Sequence, residues 1–147
     1  MPTHFACAVI WRRHPDTEDI EFLVIDSVSS DRRTGLKSEK QTKFPGGMNR
    51  VPSEPLEVTI KREVLEETYL AFTRWQRIWE KQTAEHTKYG FLVRYEDCRG
   101  ELRRESLNDN GDEMSPPYWV SASTLGRILF HTHQLPFLAA CRELGVL

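Results

Sequence analysis

The stretch Lys43–Leu70, KFPGGMNRVPSEPLEVTIKREVLEETYL, decides how this chain is read. Pro55–Tyr69 carries the clearest helical pattern, with proline suited to the first turn and Ser53 or Glu54 placed to cap it. At about 100° per residue, Glu63, Glu66 and Glu67 fall within an arc of roughly 100°. The apolar stripe of Leu56, Ile60 and Val64 occupies the adjoining arc, and Glu67 projects between Leu56 and Ile60. A solvated acidic face belongs opposite such a stripe, where Lys61 lies more nearly. These carboxylates border the buried side instead.

Carboxylates crowded at a buried edge repel one another, and loss of water makes the ionised forms costlier still. A hard divalent cation with oxygen ligands offsets both penalties, and magnesium prefers a few carboxylates plus phosphate and water. Arg62 adjoins the cluster and is placed to fix one carboxylate's rotamer. Upstream, Pro45-Gly46-Gly47 forms a tight turn that lets backbone approach closely, so a main-chain carbonyl can reach the same cation.

Outside this stretch, Phe5–Trp11 and Glu21–Val28 read as strands, and residues 29–42 as a long polar loop. Lys43–Gly47 reads as a short strand entering the turn. Phe72–Gln82 and His86–Tyr95 read as further strands. An acidic loop with room for a hairpin runs from Glu96 to Pro117, and Tyr118–Val120 resumes a strand. A short helix to Leu129 and an amphipathic helix over Leu135–Leu144 complete the chain.

The 147 residues suit one domain (1–147), and a formal charge of -2 offers no basic stripe for long nucleic acid. With 39% apolar and 29% charged residues the composition is that of a soluble protein. Cys7, Cys98 and Cys141 are too far apart for a CxxC or finger-like metal site. No apolar run approaches the ~20 residues needed to cross a bilayer. The expectation is a cytoplasmic protein without membrane contact.

Gly47, Glu54 and Arg62-Glu63-Val64-Leu65-Glu66-Glu67-Thr68-Tyr69-Leu70 together resemble the signature of the Nudix hydrolases. Two departures are visible: six residues separate Gly47 from Glu54 where the family has five, and Tyr69 stands where the family has glycine. The resemblance implies an α/β fold, a Nudix-type α/β/α sandwich with a central mixed β-sheet. It implies magnesium-dependent (or manganese-dependent) hydrolysis of a diphosphate linkage in a nucleoside triphosphate, dinucleoside polyphosphate or related small nucleotide. Glu63, Glu66, Glu67 and Arg62 become the catalytic set, and Gly47, Glu63, Glu66, Glu67 and a downstream loop acid, Glu113, the metal ligands. The proton acceptor is left open between Glu63, Glu67 and an acid outside the helix. Arg32, Arg33 and Lys37 in the long loop are candidates for phosphate contact, and Tyr89 for stacking on a base. His131 and His133 are weighed as phosphate contacts against a helix-start or surface role. A homodimer is among the assemblies the resemblance allows, and a non-catalytic nucleotide-binding module is the rival function.

Overall fold

In the computed structural model, which describes residues 2–109 and 111–146, two apolar layers lie on opposite faces of one sheet. The strands are β1 (Thr3–Arg13), β2 (Ile20–Val28), β3 (Gln41–Lys43), β4 (Gly46–Met48), β5 (Ala71–Phe72), β6 (Gln76–Thr83), β7 (His86–Arg94), β8 (Cys98–Arg99), β9 (Leu107–Asp109), β10 (Asp112–Met114) and β11 (Tyr118–Ser121). The helices are α1 (Leu56–Thr68), α2 (Ala122–Ile128) and α3 (Gln134–Leu144). Among the described residues nine strands form a mixed sheet along β6-β7-β1-β2-β10-β9, with β4 on β1 and with β3 and β11 on β2. The β1–β7 pair is parallel.

Alternation along β1 builds both layers, because successive side chains of a strand point to opposite faces. Ala6, Ala8 and Ile10 pack with Ile60 and Val64 of α1. Cys7 and Val9 pack with Leu125 of α2 and Phe137, Ala140 and Cys141 of α3. The result is the expected α/β/α sandwich.

The strand expected over Lys43–Gly47 is two strands serving different neighbours. β3 pairs with Ile25–Ser27 of β2, and β4 pairs with Phe5–Cys7 of β1. Pro45, which has no N–H, sits at the crossing and accepts a hydrogen bond from the Ala8 amide (2.8 Å). β1 pairs with β2 only over Trp11–Arg13, so the two strands splay beyond it and a cleft opens between them. The strand expected over Phe72–Gln82 is likewise broken, since β5 pairs with β8 and β6 with β7.

Neither Ser53 nor Glu54 caps α1. Pro55 takes that position without a side-chain bond, because the Glu54 carboxylate is engaged by Thr59 and Arg62. In the loop between Gly47 and Glu54, Asn49 is tied to the His4 backbone in both directions. At the other end of α1, Tyr69 adopts the left-handed conformation (φ 70°, ψ 12°) that glycine reaches more easily. The helix exit therefore keeps a glycine-type geometry with tyrosine in place. No helix among the described residues is long and apolar enough to cross a membrane.

Candidate metal and nucleotide site

The three carboxylates expected along the buried border of α1 do not share one fate, and Glu63 is only partly buried. Glu67 is buried beside Ile60 and Val64, whereas Glu66 is exposed. The Glu63 and Glu67 carboxyls lie within hydrogen-bond reach of each other. Glu67 Oε1 also accepts the Gly46 N–H (3.0 Å). Burial, then the charges of Glu63 and Glu66, pushes the Glu67 carboxyl up to about 8. Burial raises Glu63 as well, against the pull of Arg62.

Arg62 organises the rest of the face. Its guanidinium donates to both Glu54 oxygens (2.8 and 3.2 Å), to Glu63 Oε1 (2.8 Å) and to the Met48 carbonyl (3.1 Å). With Arg62 and the Thr59 hydroxyl (2.5 Å) as donors, the Glu54 carboxyl falls to about 2. Glu66 is held at the rim by Arg50 (2.6 Å) and lies 3.7 Å from Arg62. The six-residue spacing thus still brings Glu54 onto the arginine of the acidic helix.

β4 runs against this face so closely that a β-carbon at Gly47 would fall on the Glu63 carboxyl. A second β-carbon, at Gly46, would fall on the Ala6 backbone. Both glycines are therefore required by close approach. Among the described residues no group of three or more Asp, Glu, His or Cys side chains is gathered for a metal ion. The expected trio is a converged pair, Glu63 and Glu67, because Arg50 draws Glu66 aside. That mutually repelling pair, one member buried and one partly buried, beside a backbone able to offer carbonyl oxygen, is nevertheless a donor set suited to a hard divalent cation.

Glu67, Gly46 and Gly47 line a cleft of about 420 Å³. Cross-strand neighbours line its walls: Ile25 with Lys43, Ser27 with Met114, and Phe5 with Lys88. Phe44, Phe130, Thr132 and His133 close it. The His133 ring packs against Phe5 and Phe44, and its Nδ1 accepts the Phe44 N–H (3.2 Å). Burial, followed by the charges of Lys43 and Lys88, lowers His133 to about 3. Burial also lowers the Lys43 ammonium.

Several expected site residues lie elsewhere. Glu113 pairs with Lys37 (3.1 Å), both about half exposed and outside the cleft lining. Its neighbour Asp112 shares a strand face with the cleft-lining Met114, and its charge is felt by Lys43. Arg32 and Arg33 are exposed on the long loop. Tyr89 stacks on Phe91 at 6.3 Å and packs with the α1 layer, so the opposite face of β7 presents Lys88 to the cleft.

Sequence reasoning missed Lys43, Lys88 and Ser27, whose only signal was strand parity. It also missed Arg103, a buried guanidinium that donates to the carbonyls of Glu67 (2.8 Å), Ser115 (2.7 Å) and Glu105. Together with its own amide on the Thr68 carbonyl (3.0 Å), it fixes the last turn of α1 and hence the Glu67 backbone.

No family model and no curated protein matches the sequence. Solved structures do. A MutT NUDIX hydrolase from Burkholderia pseudomallei is 19% identical with a TM-score of 0.67, covering 95% of this chain and 98% of that one. A mutT/nudix family protein from Listeria innocua is 15% identical (TM-score 0.68; 99% and 96% covered). The NUDIX domain of Shewanella oneidensis NrtR, complexed with ADP ribose, is 16% identical (TM-score 0.64; 98% and 89% covered). The chain therefore has the Nudix fold.

Proposed function

We propose that this chain is a single-domain member of the Nudix superfamily that hydrolyses a diphosphate linkage in a small nucleotide derivative with the help of magnesium or manganese. The observation that carries this reading is the Glu63–Glu67 pair. Two carboxyls, Glu67 buried in the cleft lining and Glu63 partly buried beside it, are held against a double-glycine strand, with raised proton affinity and no ion-pair partner for Glu67 among the described residues. The neighbours named as MutT and Nudix proteins support the same reaction class.

Glu63 and Glu67 would hold the cation, with the Gly47 carbonyl beside them. Bound there, the cation supplies neutralisation of the diphosphate and acidifies water. Arg62 keeps Glu63 in its rotamer, and its full set of acceptors makes it a positioning residue rather than a phosphate clamp. Glu66 sits in an exposed ion pair with Arg50, weak enough to exchange when a ligand arrives. Either Glu63 or Glu67 takes the proton of the attacking water. Lys43 and Lys88 offer positive charge along the cleft. All three cysteines are free, in keeping with a reducing cytoplasmic setting.

A screen of magnesium-dependent hydrolysis over nucleoside triphosphates, dinucleoside polyphosphates, nucleotide sugars and ADP-ribose tests the proposal. Turnover that vanishes in Glu67→Gln supports it. A second reading is favoured by NrtR, whose structures include complexes with ADP ribose and with a 27mer DNA. In that reading the cleft binds a nucleotide without cleaving it. Tight binding of a screened compound with no turnover would decide for it.

A further inference from the structure

Strand β1 reaches α1 through more than apolar packing. Parity puts His4 on the same face of β1 as Ala6 and Ala8, the face that α1 covers. Its Nε2 lies 2.7 Å from the hydroxyl of Thr59, a fully buried residue of α1. That hydroxyl lies 2.5 Å from Glu54 Oε1. Arg62 in turn donates to both Glu54 oxygens and to Glu63 Oε1. A continuous hydrogen-bonded chain therefore joins the first strand to a carboxyl of the proposed cation site.

The available protons give that chain one direction. Glu54, held at about 2, is ionised at neutral pH and only accepts. Thr59 has a single hydroxyl hydrogen, and two lone pairs cannot face each other at 2.5 Å, so the hydrogen points at Glu54. The Thr59 oxygen is left as an acceptor, and His4 Nε2 must carry the hydrogen that meets it. That donor polarises the hydroxyl towards Glu54. Without it, the Thr59 hydrogen is free to swing to the Pro55 carbonyl, 3.3 Å away. The His4 backbone also exchanges two hydrogen bonds with Asn49 (3.0 and 3.1 Å). One residue thus grips both ends of the loop from Gly47 to Glu54, the segment one residue longer than the Nudix signature.

We propose that His4 is a positioning residue of the cation site: through Thr59 and Glu54 it sets the Arg62 guanidinium, and with it the Glu63 carboxyl. Glu63 lies within reach of both Arg62 and Glu67, so its direction depends on where Arg62 is held. This rests on the reading of Glu63 and Glu67 as a cation site.

Two measurements on the full chain test it: calorimetric titration of magnesium, and NMR exchange of the Arg62 Nε hydrogen in the metal-free protein. His4→Phe keeps a ring against Tyr89 and removes the donor. It is expected to weaken magnesium binding by about tenfold and to speed Arg62 exchange. His4→Gln returns an N–H donor in place of Nε2 and should restore both to near wild type. Thr59→Val cuts the chain at its middle, so adding His4→Phe to it should cost no further affinity. Should Thr59→Val fail to fold, the two His4 variants decide. Three results overturn the inference: His4→Phe leaving Arg62 exchange or an existing magnesium affinity unchanged, a loss that His4→Gln does not restore, or additive losses in the double variant. Arg62 protection lost in His4→Phe and regained in His4→Gln, in a protein that binds no magnesium, would refute the cation site and uphold the chain from His4 to Glu63.

Discussion

Glu54 and Glu67 serve the same helix and have opposite fates. Glu54 is met by three donors from Arg62 and Thr59, and its carboxyl drops to about 2. Glu67 has one backbone N–H and a second carboxyl for company, and it rises to about 8. The first is a completed ion pair whose charge is satisfied by the protein. The second is an arrangement that costs free energy until something positive arrives. That contrast between a satisfied and a poorly compensated carboxyl is the observation on which the proposed cation site rests.

Removing the poorly compensated acid should have the largest effect. Glu67→Gln is expected to lower kcat by about 100-fold or more in whichever hydrolysis the screen reveals. It should also raise the melting temperature of the metal-free protein above neutral pH. Breaking the satisfied side acts on stability instead. Arg62→Ala strips the partner from Glu54 and Glu63, and urea unfolding should show a loss of about 3–5 kcal/mol. Loss of activity in Arg62→Ala without loss of stability would mean that the guanidinium meets substrate.

Gly47→Ala attacks the contact between the strand and the pair. The new methyl group must displace the Glu63 carboxyl, with an expected stability loss of about 1–3 kcal/mol and a weakened response to magnesium.

The pH dependence separates the two acids further. Glu67, with its folded value raised, binds more protons folded than unfolded between the ordinary carboxylate range and about 8. Its contribution to stability therefore falls as pH rises through that window. His133, lowered to about 3, has the opposite slope below its ordinary value of 6.5. The clean interval is about pH 6.5–8, where the metal-free protein should lose stability in thermal melts and Glu67→Gln should flatten the slope. Glu54 contributes its full stabilisation above about pH 4.5 and loses it as pH falls towards about 2. The smallest effects belong to the outlying charges. Glu113→Gln and Arg32→Ala should change stability by less than about 1 kcal/mol and leave kcat and KM near wild type. A large rise in KM for Arg32→Ala would show that the long loop closes over the cleft.

Much of the acidic helix was legible in the sequence because a helical wheel converts spacing into faces without knowledge of partners. Glu67 lies beside Ile60 and Val64 on the buried side, as that geometry requires. The two-layer core was expected only through the family resemblance, because the continuous apolar run Phe5–Trp11 marks a strand without saying what covers each face. The wall of the cleft that bears Phe5 and Lys88 was not legible. Parity says that Tyr89 and Phe91 share a face and that Lys88 does not, but the pairing of Phe5 with Lys88 decides which face looks into the cleft. That pairing joins residues far apart in the chain. The break at Phe44–Pro45 and the fate of Glu66 were hidden likewise, since each depends on a tertiary partner: β1 for the first, Arg50 for the second.

The central claim is that Glu63 and Glu67 form a cation site completed from outside. Titrating magnesium or manganese into wild-type protein and Glu67→Gln by calorimetry at pH 7.5, in buffers of different ionisation enthalpy, tests it most directly. The account predicts saturable binding to the wild type with release of a proton from the pair, and binding at least about tenfold weaker without proton release in Glu67→Gln. Equal binding by the two proteins, or no binding to the wild type, would contradict it.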